Sequence, residues 1–166
     1  MQQQFYKEAI AASVFNYISK ASQDLGIKSY VIGGFVRDYL LQRGNAKDVD
    51  IVAVGSGIAL AEKVAEILPT KPKVQVFKTY GTAMLRYKDI EIEFVGARKE
   101  SYSEDSRNPE VEEGTLQDDQ NRRDFTINAL ALSLNKEDFG LLLDPFNGVE
   151  DLKNQIIRTP LEPNIT

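Results

Sequence analysis

The order of apolar and polar residues along the chain predicts a mixture of helices and strands. Residues 5–21 carry apolar side chains close to helical spacing, and Gly26 follows as a stop signal, so this stretch is predicted as an amphipathic helix. The same patterns predict further helices at 35–42, 58–68 and 149–155. Short apolar or alternating runs predict strands at 30–32, 48–54, 74–77, 83–87, 90–95 and 156–157.

These elements do not repeat as β-α-β units, which favours the α+β class with a mixed sheet. The stretch 98–120 is polar and acidic and lacks an apolar period, so it is predicted as one long, mobile loop. Loops of that length inside a domain are often functional. The length of 166 residues fits one domain.

The composition excludes several kinds of chemistry. The chain has no cysteine and no histidine, so disulfides, thiolate zinc sites, Ser-His catalysis and histidine metal ligands are excluded. Absence of cysteine is compatible with a reducing cytosol, and no apolar run is long enough to span a bilayer, so we expect a cytoplasmic protein with no membrane partner. The net charge of −5 is not that of a domain that grips nucleic acid unaided.

Asp48 and Asp50 begin a predicted strand and are the most informative pair in the chain. In an extended strand, residues two apart point to the same face, so the two carboxylates approach one point. They repel each other unless a cation lies between them. Oxygen ligands without His or Cys suit Mg²⁺ or Mn²⁺. The alternative is a surface turn with two solvated acids, because Asp-x-Asp by itself is a common pattern.

Gly33 and Gly34 separate the strand at 30–32 from the following helix. Glycine lets backbone N–H groups approach a ligand closely, and a helix N-terminus favours phosphate. Arg37 in the first turn could bind a phosphate through its planar fork. The alternative is a turn that needs glycine only for its backbone angles, with Arg37 paired to Asp38 on the helix surface.

Two further segments carry candidate site residues. Glu91 and Glu93 share one face of an alternating strand, and one of them could complete a three-carboxylate set for two metal ions; a half-exposed strand with solvated acids is the alternative. In the segment 122–129, adjacent arginines could bind triphosphate. Asp124 and Asn128, four residues apart, could contact a ribose hydroxyl. The alternative for this segment is a capped helix with a solvated basic start.

Together these motifs resemble class II tRNA nucleotidyltransferases and bacterial poly(A) polymerases, which belong to the DNA polymerase β-like nucleotidyltransferase superfamily. The resemblance covers about 30–159 and rests on motifs in the family's order: Gly-Gly-Phe-Val-Arg-Asp at 33–38, Asp-Val-Asp at 48–50, Gly-Thr-Ala at 81–83, Glu93, Arg-Arg-Asp-Phe-Thr-Ile-Asn-Ala at 122–129 and Asp-Pro-Phe-Asn-Gly at 144–148. It implies that superfamily's α+β fold, with a mixed, mostly antiparallel sheet flanked by helices.

The resemblance also implies roles for individual residues. Asp48, Asp50 and Glu93 would be catalytic and would hold two Mg²⁺ ions, with Mn²⁺ as the other suitable metal. Nucleotide contacts would come from Gly33, Gly34, Arg37, Arg123, Asp124 and Asn128. The expected partners are CTP, ATP and the 3′ end of tRNA. The stretch 98–120 matches the flexible loop tied to the switch between adding C and adding A.

We expect a nucleotidyltransferase head domain over 1–160 and the start of a linker at 161–166. In the family such a linker leads to a helical neck that selects the base, and further helices bind the tRNA. The chain is therefore expected to be a head cut from a longer enzyme. Three alternatives remain open: a poly(A) polymerase head, a transferase of the same fold with a non-RNA acceptor, and a nucleotide-binding module without catalysis.

Overall fold

The computed structural model of the chain describes residues 3–43, 47–101 and 110–160. Five α-helices lie in these ranges: α1 (Ser13–Leu25), α2 (Gly34–Leu40), α3 (Gly57–Ile67), α4 (Leu116–Asn121) and α5 (Gly148–Lys153). The described strands are β1 (Lys28–Ile32), β2 (Asp48–Val54), β3 (Gln75–Phe77), β4 (Thr82–Tyr87), β5 (Ile90–Gly96), β6 (Arg98–Ser101), β7 (Glu110–Glu113), β8 (Ala131–Ser133) and β9 (Leu142–Leu143). Short 3-10 turns span Lys7–Ile10, Lys78–Tyr80, Thr126–Asn128 and Lys136–Asp138.

Seven of these strands form one mixed sheet in the order β3-β4-β5-β2-β1-β8-β9. Every neighbouring pair is antiparallel except β2 and β5, which run parallel at the centre. The predicted α+β class with a mixed, mostly antiparallel sheet is confirmed. No helix in the described ranges is both long and apolar enough to cross a bilayer.

The two faces of the central strand β2 have different surroundings. Val49, Ile51 and Ala53 are fully buried against the main core, which α1 and α3 help to build. The alternate residues face the other way, where Val52 joins a small apolar cluster and Asp48 and Asp50 lie nearer the strand start. The alternation of β2 therefore places both aspartates on the face opposite the main core.

The predicted helix at 5–21 is divided in the structure. A 3-10 turn (Lys7–Ile10) precedes α1, and Ala12 between them is extended. The residues before the turn are held at the sheet edge, because Tyr6 N–H donates to Gly140 and Leu142 N–H donates to Gln4. One continuous helix would break these contacts. As predicted, Gly26 ends α1, in the left-handed conformation with φ 67°.

Two other predictions were wrong. The stretch 98–120 is not one loop: β6 and β7 pair antiparallel, and α4 begins at Leu116. Only 102–109 of the predicted loop, and the linker at 161–166, lie outside the described residues. The predicted strand at 156–157 does not form, because the Ile156 N–H donates to the Asp151 carbonyl and closes the end of α5.

Candidate functional site

The parallel pairing of β2 with β5 brings four carboxylates onto one sheet face. In this register Asp50 lies beside Glu93, and Asp48 lies beside Glu91. On its other side, Asp50 pairs with Ile32, the last residue of β1 before the glycine turn. The face therefore carries an acidic patch directly next to Gly33.

Burial and like charge make two of these acids reluctant to ionise. Burial raises the pKa of Asp50; Arg123 works against that rise, while Asp48 and Asp119 add to it. Burial also raises the pKa of Glu93, with a further rise from Asp50 and an opposing effect from Arg123. Asp50, Glu93 and Arg123 therefore form one electrostatic unit.

The glycine turn places the backbone close to this unit. Gly33 has φ 87° and ψ −139°, a conformation that is open in practice only to glycine. A Cβ built at Gly33 would lie 3.8 Å from Asp50 Oδ2, 3.8 Å from Arg123 Nη1 and 3.8 Å from the Asn128 carbonyl oxygen. The missing side chain leaves a space bounded by a carboxylate, a guanidinium and a peptide carbonyl.

Arg37 is hydrogen-bonded to the segment 122–129 as well as to its neighbour in sequence. Its Nη1 donates to Asn128 Oδ1 at 2.7 Å, and its Nε donates to Asp38 at 3.1 Å. Asn128 Nδ2 in turn donates to Asp124 Oδ1 at 3.0 Å. The expected meeting of Asp124 and Asn128 occurs, but it occurs through a bend and a 3-10 turn rather than an α-helix.

Asp119 was missed by the sequence analysis, although it organises both arginines. Its side chain is completely buried, and it accepts two hydrogen bonds from Arg123, from Nε at 3.1 Å and from Nη2 at 2.9 Å. Arg122 Nε donates to the same carboxylate at 3.4 Å. With two of its nitrogens held there, Arg123 directs Nη1 toward Gly33. The i,i+4 spacing of Asp119 and Arg123 is the sequence signal that could have found this pair, but the lack of an apolar period predicts a loop over 98–120.

The turn that carries Asn128 is fixed by α5. Thr126 Oγ1 donates to the buried Asp151 at 2.6 Å, and a Cβ at Gly148 would lie only 2.5 Å from the Thr126 carbonyl oxygen. Asp144 accepts from the N–H groups of Gly148 at 2.6 Å and Val149 at 3.0 Å, at the start of α5. The motif at 144–148 thus fixes the start of α5, and α5 holds the turn that carries Asn128.

Most of the predicted site residues lie close together, but the acidic side chains do not converge on one point. No group of three or more Asp or Glu side chains in the described ranges is arranged as a metal cluster. Asp50 and Glu93 are adjacent and share Arg123 as their counter-charge. Glu91 instead pairs with Arg86 on β4 at 3.1 Å. The register and this pairing favour Glu93 over Glu91 as the third acid.

Comparison with known proteins identifies the family. The model of the poly A polymerase head domain matches residues 29–158, which include the glycine turn, the acidic face and the segment 122–129. The chain belongs to this family.

Curated relatives are named A-adding tRNA nucleotidyltransferase or CCA-adding enzyme. The chain is 43% identical over 132 residues to an A-adding tRNA nucleotidyltransferase of Aquifex aeolicus (strain VF5), covering 80% of this chain and 16% of the relative. It is 40% identical over 143 residues to a CCA-adding enzyme of Lactobacillus helveticus (strain DPC 4571), covering 85% of this chain and 33% of the relative. The chain thus spans a third or less of the length of these two relatives.

Solved structures show the same fold. A tRNA nucleotidyltransferase complexed with a primer tRNA and an incoming ATP analogue superposes with a TM-score of 0.75 at 39% identity, over 87% of this chain and 39% of that one. A CCA-adding enzyme with ATP gives a TM-score of 0.80 at 34% identity, over 97% of this chain and 38% of that one. In both cases the sequence identity supports a family relationship as well as a shared fold.

The raised pKa of Asp50 predicts that its charge destabilises the metal-free fold. Because the folded state binds this proton more tightly than the unfolded chain, stability is lost as the pH rises through the carboxyl range. Asp50→Asn should therefore raise the melting temperature near pH 7 in EDTA. The gain should shrink as the pH falls toward the unfolded value of about 3.9.

Thermal melts of both proteins across this pH range would measure the effect. Asp89→Asn in the exposed β4–β5 turn is the control and should show no such gain. A lower melting temperature for Asp50→Asn than for the wild type at pH 7 would contradict the assignment.

The burial of Asp119 predicts a large penalty for removing its charge. Asp119→Asn should lower the free energy of unfolding by about 2–3 kcal/mol, because two arginines lose a buried counter-charge. Asp24→Asn removes an exposed i,i+4 partner of Lys20 and should cost less than about 1 kcal/mol. Urea unfolding would measure both, and equal costs would show that Asp119 does not organise the arginines.

Proposed function

We propose that the chain is the catalytic head of an RNA 3′-terminal nucleotidyltransferase. It would transfer AMP or CMP from ATP or CTP to the 3′-hydroxyl of tRNA and release pyrophosphate. The observation that carries this proposal is the juxtaposition of Asp50 and Glu93 with Gly33 and Arg123. Acids for metal ions lie beside a turn and a guanidinium suited to phosphate.

The acidic face fits divalent metal by its chemistry. Its donors are carboxylate oxygens, the ligands that Mg²⁺ prefers and that Mn²⁺ also accepts. Burial and repulsion raise the pKa of Asp50 and of Glu93, and a bound cation would offset both causes. Asp48, Asp50 and Glu93 would hold the ions. Two bound Mg²⁺ ions would stabilise the charge that develops on the attacking and leaving oxygens.

The residues around the turn would bind and orient the nucleotide. Arg123 would donate its directed Nη1 to a phosphate oxygen beside Gly33, and Gly34 would let the backbone approach. Arg37 would donate to phosphate from the other side of the turn. Asp124 and Asn128 are hydrogen-bonded to each other and would contact the ribose hydroxyls.

In the transfer step, the 3′-oxygen forms a bond to the α-phosphorus and the bond from that phosphorus to the β-phosphate oxygen breaks. The hydroxyl proton is released to water, and pyrophosphate leaves on the side of the arginines. The protein contributes position and charge, as is usual for phosphoryl and nucleotidyl transfer.

The choice of tRNA as acceptor and of ATP and CTP as donors is supported by the relatives. Their names include both A-adding and CCA-adding enzymes, so AMP is the nucleotide common to the two activities. Solved neighbours hold primer tRNA with an ATP analogue, ATP, or CTP. The part that 98–120 would play in switching between C and A stays a prediction.

The acidic face is tested by metal-dependent triphosphate binding. Asp48→Ala, Asp50→Ala and Glu93→Gln should each weaken Mg²⁺-dependent ATP binding at least tenfold, about 1.4 kcal/mol. Glu91→Gln is the matched control: it removes an acid from the same strand and face, and should leave the affinity unchanged. Calorimetric titration with and without Mg²⁺ measures this.

Two results of that titration would contradict parts of the proposal. ATP affinity that does not depend on Mg²⁺ in the wild type would remove the metal role. A loss with Glu91→Gln but not with Glu93→Gln would exchange the third ligand.

The proposed contacts also predict weak base discrimination by this chain. Gly33 and the arginines would contact phosphate, the metal-holding acids would act on phosphate through the bound ions, and Asp124 and Asn128 would contact ribose. ATP, CTP, GTP and UTP share all of these groups. Specificity is a difference of affinities, and shared contacts supply none. We expect the four Mg²⁺-nucleotides to bind within about tenfold, or 1.4 kcal/mol. A larger preference for ATP or CTP in competition titrations would place base selection inside this chain.

A further inference from the structure

A buried glutamine on α4 joins this helix to the turn that carries Asn128. Gln120 is buried, and its Nε2 donates to the Ala129 carbonyl at 2.8 Å and to the Leu143 carbonyl of β9 at 3.1 Å. A side-chain amide nitrogen carries two hydrogens, so both donors are used. Gln120 thus connects α4 to the residue after Asn128 and to the edge of the main sheet.

The backbone from 128 to 130 is held between the glycine turn and α4. The Gly33 N–H donates to the Leu130 carbonyl at 3.2 Å, and the Asn128 carbonyl oxygen lies 3.8 Å from a Cβ built at Gly33. The carbonyl between these two, that of Ala129, accepts from Gln120 instead. Gln120 therefore supplies the contact of this backbone with α4.

Two adjacent residues of α4 hold different parts of the site. Asp119 holds the guanidinium of Arg123, whereas Gln120 holds the backbone next to Asn128. Under the proposed function, Arg123 contacts phosphate, while Asn128 and Asp124 contact the ribose. Loss of the Gln120 amide should therefore disturb the ribose contacts more than the phosphate contacts.

The burial of Ala129 makes the Gln120 contact hard to replace. Ala129 is buried, so its carbonyl would lack a partner without the amide, and a buried acceptor without a partner is costly. A backbone shift that relieves this cost would move Asn128. The Asn128 side chain must at the same time accept from Arg37 at 2.7 Å and donate to Asp124 at 3.0 Å, so it tolerates little movement.

We propose that Gln120 is a positioning residue for ribose recognition, which acts through the Ala129 carbonyl on Asn128. The inference rests on the proposed function and adds to it a residue that sets the preference for ribonucleotides over deoxyribonucleotides. The competing role is purely structural: Gln120 would then only satisfy two carbonyls of the fold.

The test compares Gln120→Met with a control of the same kind. Methionine has about the length of glutamine but no hydrogen-bond donor. The control is Asn135→Leu. Asn135 is also a buried amide: its Oδ1 accepts from the Ser29 N–H at 2.9 Å, and its Nδ2 donates to Ser133 Oγ at 3.1 Å. Ser29 lies toward the end of β1 that is far from the glycine turn.

Each protein is titrated calorimetrically with three magnesium-bound ligands. These are ATP, 2′-deoxy-ATP (dATP), and inorganic tripolyphosphate, which has no ribose. We expect Gln120→Met to reduce the preference for ATP over dATP about fivefold, the effect of one lost hydrogen bond, and to leave the tripolyphosphate affinity unchanged. Asn135→Leu should keep the wild-type preference, although both variants should melt at a lower temperature than the wild type.

A second variant tests whether the effect passes through Asn128. In an Asn128→Ala background, Gln120→Met should cause no further loss of the preference for ATP over dATP. An additive loss in the double variant would contradict the proposed route.

Thermal melts show whether each variant is folded at the temperature of the titration. If Gln120→Met does not fold, hydrogen exchange of the Gln120 Nε2 group in the wild type replaces the titration. Exchange measured by NMR should slow more with Mg²⁺-ATP than with Mg²⁺-tripolyphosphate, because only ATP brings a ribose to Asn128. Equal exchange with both ligands would contradict the inference.

The remaining outcomes overturn the inference in different ways. An unchanged preference for ATP over dATP in Gln120→Met, or the same loss in Asn135→Leu, would leave Gln120 with a structural role only. An equal fall in affinity for all three ligands would mean the same. Equal binding of ATP and dATP by the wild type would leave no ribose recognition to position. Absence of Mg²⁺-dependent ATP binding in the wild type would instead contradict the proposed function itself.

Discussion

The parallel pairing of β2 with β5 is the constraint on which the acidic face depends. It places Asp50 beside Glu93 and Asp48 beside Glu91, so that like charges collect on one face of a sheet whose other face is a hydrophobic core. Burial raises the pKa of Asp50 and of Glu93, which means that the fold itself disfavours their ionised forms. Under the proposed function, a bound cation would offset this cost.

The guanidinium of Arg123 beside the glycine turn is positioned by the buried carboxylate of Asp119. Asp119 is fully buried and holds Arg123 by two hydrogen bonds, which aims the remaining guanidinium nitrogen at the glycine turn. The turn carrying Asn128 is held in the same indirect way, through Thr126 and the buried Asp151. Arg123 and the turn that carries Asn128 are thus positioned by buried polar contacts, which restrict them more firmly than exposed pairs would.

The chemical character of this sheet face changes from strand to strand. Along one row of paired residues the face changes from the glycine turn and arginines, through the acids, to a groove with two further cations, Lys73 and Arg86. Sheet registry is rigid, so the three parts would keep their spacing without any movement of the scaffold.

The sequence by itself determined the local periodicities and the residue chemistry. The alternation in 48–54 gave the strand and its polar and apolar faces, the glycine pair gave the turn, and the family motifs named the acids and arginines. Only the tertiary structure decided that Glu93, not Glu91, lies beside Asp50, and that Asp119 lies under Arg123. In the tertiary structure, part of 98–120 also forms paired strands, and the Ile156 N–H closes the end of α5 instead of joining a strand. The physical reason is that side-chain periodicity reports burial along one element. Strand register and backbone pairing depend instead on partners that are distant in sequence.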